Sequence, residues 1–225
     1  MARWRERAIR EVRAELDRFL NYPINRTIAL GDYGTYDNKT CRFQWDGNIA
    51  DLGLPTTSAG FQKEMMEAYS TARSVSIQGR LNLSSGNPSV DIRFRRTSAL
   101  ACRGFNIGYD QAHLVGLATA FSKAIRGGLQ WNRRNVIVTE LWKASGFTHL
   151  VSGGTNAGVQ IEATAPNLPA LFNFADPTLG LNVVAENSMN YCAVGQSDVN
   201  PYFSIHKLRE VTPGVWSFYR YGDPS

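Results

Sequence analysis

A chain of 225 residues with 43% hydrophobic side chains can bury a sizeable core as one domain over 1–225, and bulk disorder is excluded. Its 24 Lys and Arg against 19 Asp and Glu give a formal charge of +5, which favours anionic partners: nucleic acid, acidic lipid or an acidic protein. Three scattered cysteines without CxxC spacing (Cys41, Cys102, Cys192) argue against a disulfide framework or zinc site, and no apolar run approaches the ~20 residues of a helical span. The N-terminus carries alternating charges where a secretory signal needs an apolar stretch, so the expected resting location is the cytoplasm.

Residues 2–20 read as an amphipathic helix. Ile9, Val12, Leu16, Phe19 and Leu20 recur at helical spacing, with Arg and Glu on the other face. Asn21-Tyr22-Pro23 should end it, since proline cannot continue a helix. Thr27–Leu30 and Cys41–Trp45 are expected as short strands, with turns at Gly31–Gly34 and Asp46–Asn48. Residues 60–70, with Phe61, Met65, Met66 and Tyr69, suggest a short helix.

The clearest pattern begins at Ser74. Val75, Ile77, Gly79, Leu81 and Leu83 alternate with polar residues, and so do Val90, Ile92 and Phe94 beyond the loop at Ser84–Pro88. A period of two marks strands with one apolar face, so Ser74–Arg95 predicts a long hairpin. Ala101–Tyr109 continues extended. Leu114, Leu117, Phe121 and Ile125 trace a central helix over 110–126, with Asp110 as its cap and Gly127-Gly128 as its stop. Val136–Trp142, Phe147–Ser152 and Gly158–Ala165 read as strands, the last two joined by the turn Ser152–Asn156. Leu168–Phe174 suggests a short helix. Tyr191–Val194, Phe203–Leu208 and Val215–Tyr221 are late strands, the last two joined across Thr212-Pro213-Gly214. The order predicts an α+β fold: a twisted, mainly antiparallel sheet with long hairpins, an N-terminal amphipathic helix and a central helix.

Chemistry-bearing motifs do not emerge. The sequence has no GxGxxG, Walker, GxSxG or HExxH pattern. His113, His149 and His206 fall on a predicted helix and two predicted strands, where structural roles are the default. The expectation is a non-enzyme without cofactor or metal. Arg93, Arg95, Arg96 and Arg103, with Arg133 and Arg134, form the basic clusters to which an anionic partner would bind. Phe94 and Phe105 lie among them, yet alternation on a strand sends rings and guanidinium groups to opposite faces, which weakens a nucleic-acid reading.

The order of these segments resembles the pore-forming domain of gasdermins. It is carried by the strand pair Ser74–Arg95, the helix Gln111–Arg126, the strand Val136-Ile-Val-Thr-Glu140 and the glycine-broken pair Phe147–Ala165. The resemblance implies a protein that oligomerises and inserts amphipathic β-hairpins into anionic membrane, cytoplasmic at rest and membrane-bound when active, in cell death or prokaryotic defence. The inserting residues would be Val75, Ile77, Leu81, Leu83, Val90, Ile92, Phe94, Val136, Val138, Val159 and Ile161. A membrane strand needs about 9–11 alternating residues, which Ser74–Leu83 supplies and Val90–Arg95 alone does not. Members of that family are held inactive by a C-terminal segment; none is evident after Val215–Tyr221, and no cysteine for lipidation precedes Cys41, so a different trigger is expected. The same alternation also fits an ordinary half-buried antiparallel sheet. The alternative is a non-enzymatic structural protein whose strands and basic face bind copies of itself or nucleic acid.

Overall fold

The computed structural model describes residues 2–56, 58–65, 68–70, 74–81, 86–165, 168–169 and 171–222. In chain order the elements begin with helix α1 (Ala2–Leu16), β1 (Phe19–Leu20), β2 (Asp32–Asp37), β3 (Arg42–Asn48), β4 (Ser58–Met65) and β5 (Ala68–Ser70). Next come β6 (Val75–Leu81), β7 (Pro88–Phe94), β8 (Leu100–Ala112), helix α2 (Leu114–Arg126), β9 (Val136–Ser152) and β10 (Gly158–Ala163). The chain closes with β11 (Leu181–Asn187), β12 (Met189–Val199), β13 (Tyr202–Thr212) and β14 (Val215–Arg220). The α+β class, the antiparallel sheets and both helices are as the sequence predicts.

β9 is the spine of a ten-stranded sheet. Its sequence is almost continuously apolar or small, and only Glu140, Lys143 and Ser145 escape full burial, as expected for a strand covered on both faces. One edge of β9 pairs with β8 over Glu140–Val151 and with β2 at Val136 and Ile137. The other edge pairs with β13 over Val136–Leu141 and with β12 over Ala144–Ser152. Each edge of one long strand is therefore shared by two neighbours. β3 extends the sheet beyond β2, β4 and β5 beyond β8, and β14 and β1 beyond β13.

The second sheet has four antiparallel strands in the order β11-β10-β7-β6. It lies over one face of the first. Ala101 of β8 and Leu150 of β9 share a core with Val90, Ile92, Phe94, Val159, Ile161 and Ala163 of the second sheet. Their neighbours Leu100, Cys102 and Val151, of opposite parity, pack with Ala8, Ile9 and Val12 of α1. The three-layer arrangement is thus α1, long sheet, short sheet. α2 docks near the start of β9, in a core with Ile137, where Phe121 meets Trp131 and Phe218 edge-on at 4.9 and 5.9 Å.

Several expected elements differ. α1 stops at Leu16, because Asp17 turns left-handed (φ 54°) and Phe19–Leu20 pair with β13, which outweighs the helical spacing. Residues 27–29 are irregular, and the expected turn at Asp46–Asn48 lies inside β3. The helix expected over 60–70 is replaced by β4 and β5, which satisfy their backbone against β8. α2 is capped by His113, whose Nδ1 accepts from Gly116 N at 3.2 Å, because β8 runs on past Asp110 to Ala112. No helix forms among the described residues of 168–174; a 3-10 turn stands at Pro177–Leu179. Val136–Trp142 and Phe147–Ser152 are one strand. Phe147–Ser152 and Gly158–Ala163 do not pair: β9 stays in the long sheet while β10 joins the short one between β7 and β11.

Candidate functional site

The short sheet is the amphipathic element of the molecule. β6 and β7 pair from Val75 opposite Phe94 to Leu81 opposite Pro88, and β7 and β10 pair from Arg93 opposite Gly158 to Ser89 opposite Glu162. Alternation then places Val90, Ile92, Phe94, Val159 and Ile161 inward, all fully buried, and Asp91, Arg93 and Gln160 outward. The outward face forms a groove of about 660 Å³ lined by Ser76, Arg80, Asp91, Arg93, Arg95, Gln160 and Glu186 among others. Asp91 holds Arg93 of its own strand at 3.0 Å and Arg80 of β6 at 3.6 Å. These pairs are solvent-facing and contribute little to stability.

The sheet's outer edges are open. β6 pairs only with β7 and β11 only with β10 among the described residues. On β6 the apolar side chains run past the covered core: Val75 is half-buried, but Ile77 is 37% and Leu81 62% exposed. On β11, Val183 and Val184 are 41% and 47% exposed. Leu83 lies outside the described residues. Val136 and Val138, expected beside these residues, sit instead in the spine strand with no exposed surface, packed against Phe203 and Ile205.

Three crossings between the sheets meet at Ser152. The chain leaves β7 for β8 at 95–99, β9 for β10 at 153–157, and β11 for β12 at Ser188. Ser152 Oγ donates to the Arg96 carbonyl at 2.6 Å and accepts from Ala99 N at 2.8 Å. Its carbonyl accepts from Ser98 N at 3.0 Å and from Asn190 Nδ2 at 2.9 Å, while Gly153 N donates to the Ser188 carbonyl at 2.7 Å. Left-handed residues at Ser98, Asn156 and Ser188 give the backbone its turns there. The segment between β10 and β11 fastens the sheets from another point. Phe172 and Phe174 are buried between them, Thr148 Oγ1 donates to the Phe174 carbonyl, and the same oxygen accepts from Gly195 N at 2.9 Å. Gly146 lets this segment lie close: a Cβ there would stand 2.0 Å from the Ala175 carbonyl oxygen.

The six singled-out arginines do not converge. Arg93 and Arg95 line the groove. Arg96 reaches Glu11 of α1 at 3.5 Å. Arg103 is half-buried, donates to Asn173 Oδ1 at 3.0 Å and lies 5.3 Å over the Phe174 ring; desolvation lowers its pKa. Arg133 and Arg134 stand in the loop before β9, with Arg133 at 3.6 Å from Glu210.

The histidines and Cys192 stand in separate settings. His113 caps α2, and His206 Nδ1 lies 2.6 Å from Thr139 Oγ1 inside the core. His149 is buried between Cys102, its cross-strand neighbour, and the Tyr191 ring, and desolvation lowers its pKa to about 3. The Cys192 thiol is pushed up to about 11 by burial and the nearby Glu186 charge, which favours its protonated form. Among the described residues no three His, Cys, Asp or Glu side chains stand close enough to hold a metal ion.

No family model and no curated protein matches the chain.

Two parts of this site were not expected from the sequence. β11 carries Val183-Val184 behind a left-handed Gly180, a β-branched pair after a turn that signals a strand. Ser152 gave no signal, because a node of backbone crossings exists only once both sheets are formed.

Proposed function

We propose that the chain is a membrane-active protein that self-assembles and inserts its short sheet, gasdermin-like in action. One observation carries the reading: two antiparallel pairs, β6–β7 and β10–β11, lie side by side as a separate outer sheet with one apolar and one polar face and two open edges. Swung outward about the crossings at Ser152, that sheet presents its apolar face to lipid and its Arg80–Asp91–Arg93 face to a water-filled lumen, the two-sided demand of a membrane barrel. Its open edges pair with those of the next copy, since an isolated sheet cannot leave edge backbone groups unpaired in hydrocarbon. The strands are six or seven residues long at rest and must lengthen into their flanking segments to reach the about 9–11 residues of a span.

Leu81 and Ile77 test this without disturbing the resting core, because both are exposed there. Leu81→Arg should leave the melting temperature unchanged and sharply reduce dye release from anionic liposomes, since arginine on a lipid-facing barrel position costs about 2–4 kcal/mol near mid-bilayer. Undiminished release by Leu81→Arg and Ile77→Arg would sink the reading. The same open edges favour a second one, assembly of copies without lipid. Filaments or shells formed in buffer, with no leakage from intact or proteolysed protein, would select it.

A further inference from the structure

We propose that the turn joining β13 and β14 is a docking wedge for an anionic lipid bilayer. Val211 and Val215 at this turn are 53% and 47% exposed, and Tyr219 is 41% exposed. Register places Val215 beside Thr212 and Tyr219 beside Lys207, so aliphatic groups crown the tip with an aromatic and a cation behind them. Arg133 lies 6.0 Å over the Trp216 ring and Arg209 lies 5.3 Å over the Tyr219 ring. Amphipathic rings with cations at that depth suit the headgroup level when aliphatic side chains lie deeper.

The wedge is preformed. Arg126, in the last turn of α2, donates to the Gly214 carbonyl at 2.7 and 3.2 Å. Gly214 N donates to Glu210 Oε1 at 2.8 Å, and Trp216 N donates to Ser122 Oγ at 3.2 Å. Docking therefore orders little that is not already ordered. A cleft of about 660 Å³ beside the tip is lined by Arg133, Lys207, Arg209, Val211 and Trp216 with one carboxylate, Glu210. That carboxylate is already engaged by Gly214 N and by Arg133. The surplus of positive charge complements a negative bilayer surface. A single-stranded nucleic acid fits less well: a guanidinium group already lies over one face of each ring, and the valines would stay in water.

The inference deepens the membrane-active reading by naming the surface that first meets lipid, and it rests on that reading for every step after docking. Binding and leakage separate the two. Vesicles of phosphatidylcholine with phosphatidylserine should sediment the intact chain, vesicles of phosphatidylcholine alone should do so weakly, and added salt should weaken binding. Arg133→Gln and Arg209→Gln should each lower the affinity about fivefold. Val211→Asp with Val215→Asp should lower it about tenfold or more, at an unchanged melting temperature. Binding that these variants leave intact, or that ignores phosphatidylserine, overturns the wedge. So does loss of single-stranded DNA binding in the same variants when no vesicle binding exists. Normal variant-sensitive binding without dye release upholds the wedge and removes the pore.

Discussion

Thr148 Oγ1 serves two backbone groups, the Phe174 carbonyl and Gly195 N, whereas His149, next along β9, has neither ring nitrogen hydrogen-bonded among the described residues. A buried polar group without partners is costly, and here the cost grows when the ring takes a proton. Burial holds the folded-state pKa at about 3, below the ordinary 6.5. The unfolded chain therefore binds the extra proton first. The His149 contribution to stability is whole above about pH 6.5 and drains as pH falls toward 3, by roughly 1.4 kcal/mol per pH unit. His149→Leu should flatten this acid limb and raise stability at neutral pH, read by urea melts across pH 4–8. An unaltered pH profile would show that other groups govern acid unfolding. At this scale the sequence was legible where period two governs: Val90, Ile92 and Phe94 share one face of their strand, and Val159 and Ile161 one face of theirs, as the alternation predicts, whereas the joining of the two sets into one core was not foreseen. It could not tell which apolar residues are covered, since Leu81 and Val90 occupy the same pattern and differ only in what packs over them.

Elements with a local signal were legible, and those defined by a distant partner were not. The β6–β7 hairpin and α2 follow from alternation and a helical stripe within a dozen or so residues. The 60–70 segment carries a helix-like spacing, yet β8 offers it a ladder from Ala112 to Ala101, and tertiary pairing overrides weak propensity. β9 and β10 are adjacent in sequence across a glycine-rich turn, so a hairpin was expected; the turn instead passes between layers, and β10 pairs with β7, far earlier in the chain, and with β11, reached only after residues 164–180. That edge strand is where assembly can be probed. Lysine on an exposed edge discourages pairing with another chain. Val184→Lys, at a half-exposed position, should change stability by no more than about 0.5 kcal/mol and reduce self-association seen by sedimentation velocity. Equal association of both proteins would place the contact on another edge.

For the whole molecule, the governing relation is how firmly the short sheet is held on the long one. Phe174 sits between the sheets, with its carbonyl fastened by Thr148 and Arg103 above its ring. Phe174→Ala should lower stability by about 3–5 kcal/mol and, at temperatures where the protein stays folded, speed dye release from anionic vesicles. Slower release would mean that this contact aids insertion and does not restrain it. β9 has a different bearing, on how the protein is made. Its first edge can be matched by β2 and β8, which precede it, but its second edge waits for residues 189–207, which leave the ribosome tens of residues later. Until then a 17-residue, largely apolar strand has one flank bare, which makes nascent chains adhesive toward one another. Synthesis rate and chaperone supply therefore bear on yield more than the finished protein's stability suggests.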